Sequence, residues 1–387
     1  MISRLAISGY RSIRSLILTL GALNVVTGPN GCGKSNLYRG LRLLADAARG
    51  GLGRSLAREG GLPSVLWAGP EVISREMLLG AVPVQGTLRK KPVSLRLGFR
   101  AEPYSYCLDI GLPAPGQSLF GADPEIKREC LYRGLSLEAR DMCADRRQVL
   151  LRCRGERGGW QDVALPLTSQ VSMLSDFADP FLAPEVVLTR EVMRSWRFYD
   201  SFRTDIDAPA RRLLPGTFTP VMSDDGGDLA AAIQTIFEIG DAPALAAAVD
   251  EAFPGAEVHV VNGDHGMELV FRQPGLLRSL SVAELSDGTL RFLLLAAALL
   301  TPRPPSLMVL NEPEASLHPD LLAALSRLVR QAQRETQVIV VSHSAKLVEL
   351  LEEDEDCVSI RLVKRLGETV LDGGDALSQH GWSWPAR

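Results

Sequence analysis

Gly28-Pro29-Asn30-Gly31-Cys32-Gly33-Lys34-Ser35 is the stretch on which the reading of this chain turns. It fits the pattern G-x-x-x-x-G-K-[ST] in full. Glycines at these places let backbone N–H groups turn inward and approach phosphate oxygens closely. Just before it, Leu23-Asn24-Val25-Val26-Thr27 reads as a short strand of high β-propensity. Just after it, Leu37, Leu41, Leu44 and Ala48 recur at helical spacing until Gly50-Gly51 ends the run. The order strand, Gly-rich turn, helix predicts a phosphate held at a helix N-terminus, where the helix adds its partial positive charge. Lys34 is then expected to reach the β- and γ-phosphates of a nucleotide, and the Ser35 hydroxyl to ligate Mg²⁺. An ordinary Gly-rich turn would leave both flanking elements without a reason.

Three later segments extend the pattern. Ser306-Leu307-Met308-Val309-Leu310-Asn311-Glu312-Pro313 is an apolar strand that delivers two polar side chains at its C-terminal end, where parallel sheets bind ligands. On its own it is a core strand stopped by proline. Beside a phosphate loop, Glu312 becomes the candidate general base that orients water toward the γ-phosphate. Glu284-Leu285-Ser286-Asp287-Gly288-Thr289-Leu290-Arg291 opens an apolar helix; Ser286 reads either as a plain N-cap or, with Gly288, as a second phosphate-binding helix end. Val338-Ile339-Val340-Val341-Ser342-His343 ends another apolar strand, and His343 is a candidate γ-phosphate sensor.

The rest of the chain organises around these points. Leu5 and Ile7, then Leu16, Leu18 and Leu20, alternate as half-buried strands do. Residues 82–165 read as antiparallel strands, among them Val82-Pro83-Val84, Val93 to Leu97, Tyr104 to Ile110, and a hairpin of Val149 to Cys153 with Trp160 to Leu165. Ser172 to Arg194 is expected helical with breaks at Pro180 and Pro184, and Trp196 to Phe202 a strand. Asp228 to Phe253 is Ala-rich and helical with a break near Gly240; two strands joined by Asn262-Gly263-Asp264 follow. From Glu284 onward the alternation of helix and apolar strand predicts a parallel sheet.

Hydrophobic residues make up 46% and charged residues 23% of 387 residues, the balance of a globular protein with a sizeable core. A net charge of −4 argues against a surface that is one nucleic-acid platform. The six cysteines form no C-x-x-C pair, so no zinc site is expected, and with no leader pattern they predict a reducing, cytoplasmic setting. The longest apolar run, Phe292 to Leu300, is far short of the ~20 residues of a membrane span and reads as a buried helix. No heptads persist, which excludes long coiled-coil arms.

These elements, in this order, resemble the ABC-type ATPase heads of the RecF, SMC and OLD-like families. Tyr10-Arg11-Ser12 resembles the F-R-S stretch of RecF-like ATPases with Tyr for Phe, and Asn311-Glu312-Pro313-Glu314-Ala315-Ser316-Leu317-His318-Pro319 is very similar to the Walker B and D-loop run of OLD-like relatives. The resemblance is strongest over residues 1–50 and 280–350; the middle, with the ending Trp382-Ser383-Trp384-Pro385, resembles uncharacterised ATPases of the same group. It implies an α/β fold, an ABC-type P-loop head of mixed sheet flanked by helices with an inserted α+β arm. The head is expected over 1–115 and 255–387, and the arm over 116–254. It implies an ATP site of Asn30, Gly31, Cys32, Gly33, Lys34, Ser35, Asn36 and Arg11, catalysis by Glu312 with His343, and Mg²⁺ on Ser35 and, through water, Asn311. Ser286 and Gly288 would act in trans on the nucleotide of a second copy, making a homodimer glued by ATP.

Three departures qualify this. Asn311 stands where Walker B usually has Asp; it can still accept a hydrogen bond from a metal-bound water, so weaker Mg²⁺ binding and slow turnover are expected. Asp287-Gly288-Thr289 replaces the Gly-Gly-Gln favoured by transporters, and no glutamine stands out as that of the Q-loop, Gln85 being one candidate. Asp354-Glu355-Asp356 offers paired carboxylates of the kind a TOPRIM nuclease uses, but too little chain follows for such a domain, so an acidic turn and no nuclease activity are expected. The function implied is DNA repair, maintenance or phage defence, with Arg89-Lys90-Lys91, Arg146-Arg147 and Arg211-Arg212 as candidate phosphate contacts. The alternative is a slow ATP-gated switch that holds a partner effector protein. A transporter subunit fits less well, since the insertion between Ser35 and Ser286 is longer than transporters carry.

Overall fold

Strand pairing begins at the N-terminus, where Ile2–Tyr10 and Ile13–Thr19 form an antiparallel hairpin with Leu5 opposite Leu18 and Ile7 opposite Leu16. The computed structural model describes residues 1–85, 92–116, 119–155, 158–164, 166–200, 202–263, 266–373 and 382–386. The chain divides into two compact units: Met1–Leu20, Gly28–Ser195 and Ile360–Arg387 form one, Gly21–Thr27 and Trp196–Ser359 the other.

In the first unit the hairpin is the start of an eight-stranded antiparallel sheet. Beyond Ile2–Tyr10 it runs through Leu95–Ala101, Tyr104–Gly111, Glu125–Arg133, Met142–Arg147, Leu150–Arg154 and Trp160–Asp162. The helix Lys34–Arg49 packs on it, and Gly40 permits the close approach, since a Cβ there would lie 2.6 Å from Ile7 Cδ1. The expected hairpin of Leu150–Arg154 with Trp160–Asp162 forms; Leu165 lies outside the described residues. Val82-Pro83-Val84 is not a strand: proline withdraws a donor from so short a run, and all but Val84 of it is exposed. Helices Met173–Asp176 and Pro184–Ser195 reproduce the proline-broken helical region, with Pro184 opening the second helix, where its missing N–H costs nothing.

Two of these strands, Glu125–Arg133 and Met142–Arg147, carry a buried polar network. Arg146 and Glu129 are both fully buried and meet at 3.1 Å. Arg146 also donates to the carbonyls of Gln148 (2.7 Å), Thr168 (2.6 Å) and Val171. Glu129 accepts from Tyr106 Oη (2.5 Å), Met173 N (2.8 Å) and Ser172 Oγ. Burial, and then the charge of Glu129, pushes the Tyr106 phenol well above its ordinary pKa, so it stays a donor. Arg146 is therefore not available to a phosphate, which corrects one of the basic clusters named above. Its neighbour Arg147 is exposed and lies 3.6 Å from Asp145. Arg89-Lys90-Lys91 lies outside the described residues.

In the second unit four parallel strands stand in the order Arg197–Tyr199, Leu307–Asn311, Gln337–Val341, Leu23–Thr27. Their side chains are buried on both faces, as expected of a parallel sheet covered by helices. Register is unambiguous: Val341 pairs with Val26 on one side and with Asn311 on the other. Asn24 is buried yet satisfied, bonding Gly21 through both ends of its amide and donating to Val338 O at 3.1 Å. The helix Asp287–Leu299 is buried from Leu290 to Leu299, as its all-round apolar sequence requires. Helices Leu229–Ile239 and Ala242–Ala252 break at Gly240, and Glu257–Gly263 pairs with Gly266–Arg272; Asp264 lies outside the described residues. Residues 116–254 supply strands to both sheets, Glu125–Arg133 to one and Arg197–Tyr199 to the other. No helix among the described residues is long and apolar enough to cross a membrane.

Replacing Arg146 with Met leaves Glu129 buried without its countercharge. The expected loss is about 3–5 kcal/mol of unfolding free energy. Urea unfolding should show it, and the pair replacement Glu129→Gln with Arg146→Met should recover much of the loss.

Candidate functional site

The phosphate loop follows Thr27 directly and adopts the shape its glycines allow. Gly28, Gly31 and Gly33 all have positive φ, at 142°, 76° and 112°. Lys34 opens the helix; its N-cap Gly33 offers no side chain, and no acidic residue occupies the first turn. The N–H groups at this end are thus free of local carboxylate competition, which suits an anion. Lys34 Nζ bends back to donate to Gly28 O (2.5 Å) and Pro29 O (3.2 Å). Asn30, Gly31 and Ser35 are exposed, whereas Cys32, Gly33 and Lys34 are buried. This residue set fits a triphosphate with Mg²⁺: turned amides, one ammonium and one accessible hydroxyl.

Support for the loop comes from both ends of the sequence. Thr369, in the strand Glu368–Leu371, is fully buried and donates through Oγ1 to Cys32 O at 2.7 Å, while its N–H reaches Ser12 O at 2.7 Å. Ser12 Oγ meets Thr369 Oγ1 at 2.7 Å and accepts from Asn36 Nδ2 at 2.7 Å. A Cβ on Gly33 would lie 2.1 Å from Thr369 Oγ1, so glycine is obligatory there. Nothing local marks Thr369 in the sequence; only its contacts reveal it.

Arg11, expected at the nucleotide, has φ 48° and is tied to Glu59 Oε2 at 2.7 and 3.1 Å. Tyr10 Oη shares that oxygen at 2.7 Å. Burial works against the Arg11 guanidinium, but Glu59 and Tyr10 more than offset it, and its pKa ends above the ordinary value. Gln85 is exposed in a turn.

In the second unit the strand ends bring Asn311, Glu312 and His343 together. Glu312 leaves the sheet at φ 50°, a left-handed conformation that non-glycine residues adopt at a cost of about 1 kcal/mol. Its N–H donates to Val341 O at 2.8 Å and its carbonyl accepts Arg291 Nη2 at 3.1 Å. Glu312 Oε1 and His343 Nε2 lie 3.3 Å apart, both side chains partly open to solvent. A carboxylate beside an imidazole is equipped to accept a proton from water and to report on a neighbouring charge.

Ser286 is the N-cap of Asp287–Leu299: its Oγ accepts from Thr289 N at 3.1 Å and meets Thr289 Oγ1 at 2.8 Å. It remains exposed, so the capping role and a phosphate contact do not exclude each other. Gly288 faces Ser316 of the D-loop run, where a Cβ would come to 3.0 Å from Ser316 O. Arg211 does not face solvent. It donates to the carbonyls of Val282 (2.9 Å), Ala283 (3.1 Å) and Leu285 (2.9 Å) and pairs with Asp287 at 3.2 Å, so it holds the approach to Ser286 rather than offering itself to DNA. This corrects the Arg211-Arg212 cluster, of which only Arg212 is exposed. Asp354-Glu355-Asp356 forms a turn in which Asp354 Oδ1 accepts Asp356 N at 3.1 Å.

Among curated proteins no sequence matches this chain. Solved structures do. The chain is similar to the crystal structure of an Smc head bound to the C-winged helix domain of ScpA, at 13% identity over 96% of either chain, with a TM-score of 0.52. It is also similar to an Smc head domain with an extended coiled coil bound to the C-terminal domain of ScpA, derived from Pyrococcus furiosus. There the identity is 12%, the coverage 96% of this chain and 95% of that one, and the TM-score 0.50. At such identities the likeness concerns the fold, which is that of an ABC-type ATPase head, mixed α/β with sheets flanked by helices. The profile of the family described as "AAA domain, putative AbiEii toxin, Type IV TA system" matches residues 23–349, well over half of the chain, and this protein belongs to that family.

Proposed function

We propose that this chain binds ATP with Mg²⁺, hydrolyses it, and pairs head to head with a second copy around the nucleotide. The observation that carries the proposal is the Glu312–His343 contact at 3.3 Å. It lies at the C-terminal ends of parallel strands whose neighbour, Leu23–Thr27, leads directly into the phosphate loop. Backbone amides of residues 30–36 cradle the phosphates, and Lys34 releases its loop carbonyls to reach the β- and γ-oxygens. Arg11 exchanges Glu59 for a phosphate oxygen. Ser35 holds Mg²⁺ directly and Asn311 through water, and the ion supplies charge neutralisation at the γ-phosphate. Glu312 accepts the proton of the attacking water, and His343 senses the γ-phosphate. Ser286 and Gly288 of the second copy complete the site with a helix N-terminus.

The setting proposed is DNA repair, maintenance or phage defence in the cytoplasm, with the head over 1–115 and 255–387 and an inserted arm over 116–254. The toxin–antitoxin wording of the family description supports a defence role. With Arg146 and Arg211 engaged internally, DNA contact rests on the resemblance to DNA-acting heads and on the exposed Arg147 and Arg212. Asn311, a neutral ligand where a carboxylate is usual, favours the second reading: slow hydrolysis that resets an ATP-gated hold on a partner effector protein. No nuclease role is assigned to Asp354-Glu355-Asp356.

Two replacements test the proposal. Glu312→Gln should lower turnover by about 10²-fold or more and leave an ATP-bound dimer on light scattering. Monomer only, in saturating Mg-ATP, would overturn the trans arrangement. Asn311→Asp should lower the Mg²⁺ concentration that half-saturates nucleotide binding; an unchanged metal dependence would place Asn311 away from the ion.

A further inference from the structure

Glu314 is a carboxylate that the proposed chemistry leaves unused. It stands two residues past Glu312, in the turn that follows Pro313. One of its oxygens, Oε1, accepts three hydrogen bonds from three consecutive residues: Ser342 Oγ at 2.8 Å, His343 N at 2.7 Å and Ser344 N at 3.0 Å. Ser342 Oγ also accepts from Ser344 N at 3.0 Å, and Ser344 Oγ caps the helix Ala345–Glu352 through Leu347 N at 3.3 Å. The segment bearing His343 is therefore gathered onto a single acceptor atom. Charge-assisted bonds of this kind are roughly twice as strong as neutral ones.

The other face of the same turn is also held. Arg291, 7% exposed, reaches Glu312 O through Nη2 and Phe202 O through Nη1, the latter at 2.9 Å. Glu314 Oε2 and Arg291 Nε are both buried without a hydrogen-bond partner. Burial lowers the pKa of the Arg291 guanidinium, and Glu314 is the first of the charges that oppose this. A carboxylate at position 314 thus compensates a buried cation as well as accepting from the segment; an amide could do only the second.

We infer that Glu314 is a positioning residue: by collecting Ser342, His343 and Ser344 on Oε1 it sets the His343 ring against the Glu312 carboxylate. The role of that pair rests on the ATPase reading above, while the clamp itself stands on geometry alone. Hydrogen exchange and turnover, measured on the full chain, separate the two. In Glu314→Ala the amides of His343 and Ser344 should exchange at least about tenfold faster, and kcat should fall about tenfold with KM for ATP within about twofold. Glu314→Gln, which keeps an acceptor oxygen, should restore most of the protection and part of kcat. Unchanged exchange at these two amides in Glu314→Ala overturns the inference, as does lost protection with unaltered kcat. If the unsubstituted chain binds ATP without turning it over, the ATPase reading fails, and the exchange comparison still decides the clamp.

Discussion

The register of three parallel strands decides where the polar residues at the strand ends of the second unit stand. Val341 stands opposite Val26 on one side and Asn311 on the other, so the three strands end level with one another. Each then hands over to a different chemistry: Thr27 to the glycine loop, Asn311 to Glu312, Val341 to Ser342 and His343. A parallel sheet buried on both faces cannot slide without moving its apolar residues out of matching pockets, so the level ends are fixed by packing rather than by the polar groups that use them. The polar groups inherit their alignment.

Much of this was legible because the informative residues are close together in sequence. Loop, flanking strand and helix are contiguous, and apolar runs of five residues ending in polar pairs announce the two other strands. The buried helix after Ser286 announces itself by composition alone. What escaped was long-range or disguised. Strands Glu125–Arg133 and Met142–Arg147 do not alternate cleanly because Glu129, Arg128, Asp145 and Arg146 all point into buried networks, and a charged residue inside breaks the pattern by which strands are recognised. For the same reason Arg146 and Arg211 looked like solvent-facing cations and prove to be internal ties. A pair of adjacent arginines in sequence carries no sign of which one is already satisfied.

The polar interior does different work in the two units. Around Glu129 and Arg146 it is closed, each side-chain nitrogen and carboxylate oxygen of that pair having a partner, which is the condition under which buried charge is tolerated. Around Arg291 and Glu314 it is open by one bond on each side. The open network is the one beside the residues proposed to do chemistry. Strain sits there too: Glu312 and Ser316 both take left-handed backbone conformations within five residues of chain.

Thr369 has a bearing on how this protein can be divided. The family match ends at residue 349, and every recognisable nucleotide motif lies inside it or just ahead of it. Yet the hydroxyl that steadies the Cys32 carbonyl comes from a residue 337 positions downstream of it, and its near neighbour Ser12 precedes the match altogether. A polypeptide trimmed to residues 23–349 would keep the glycine loop of residues 28–35 and lose both Ser12 and Thr369 that back it, so the smallest piece that holds this loop in its present form is larger than its signature suggests.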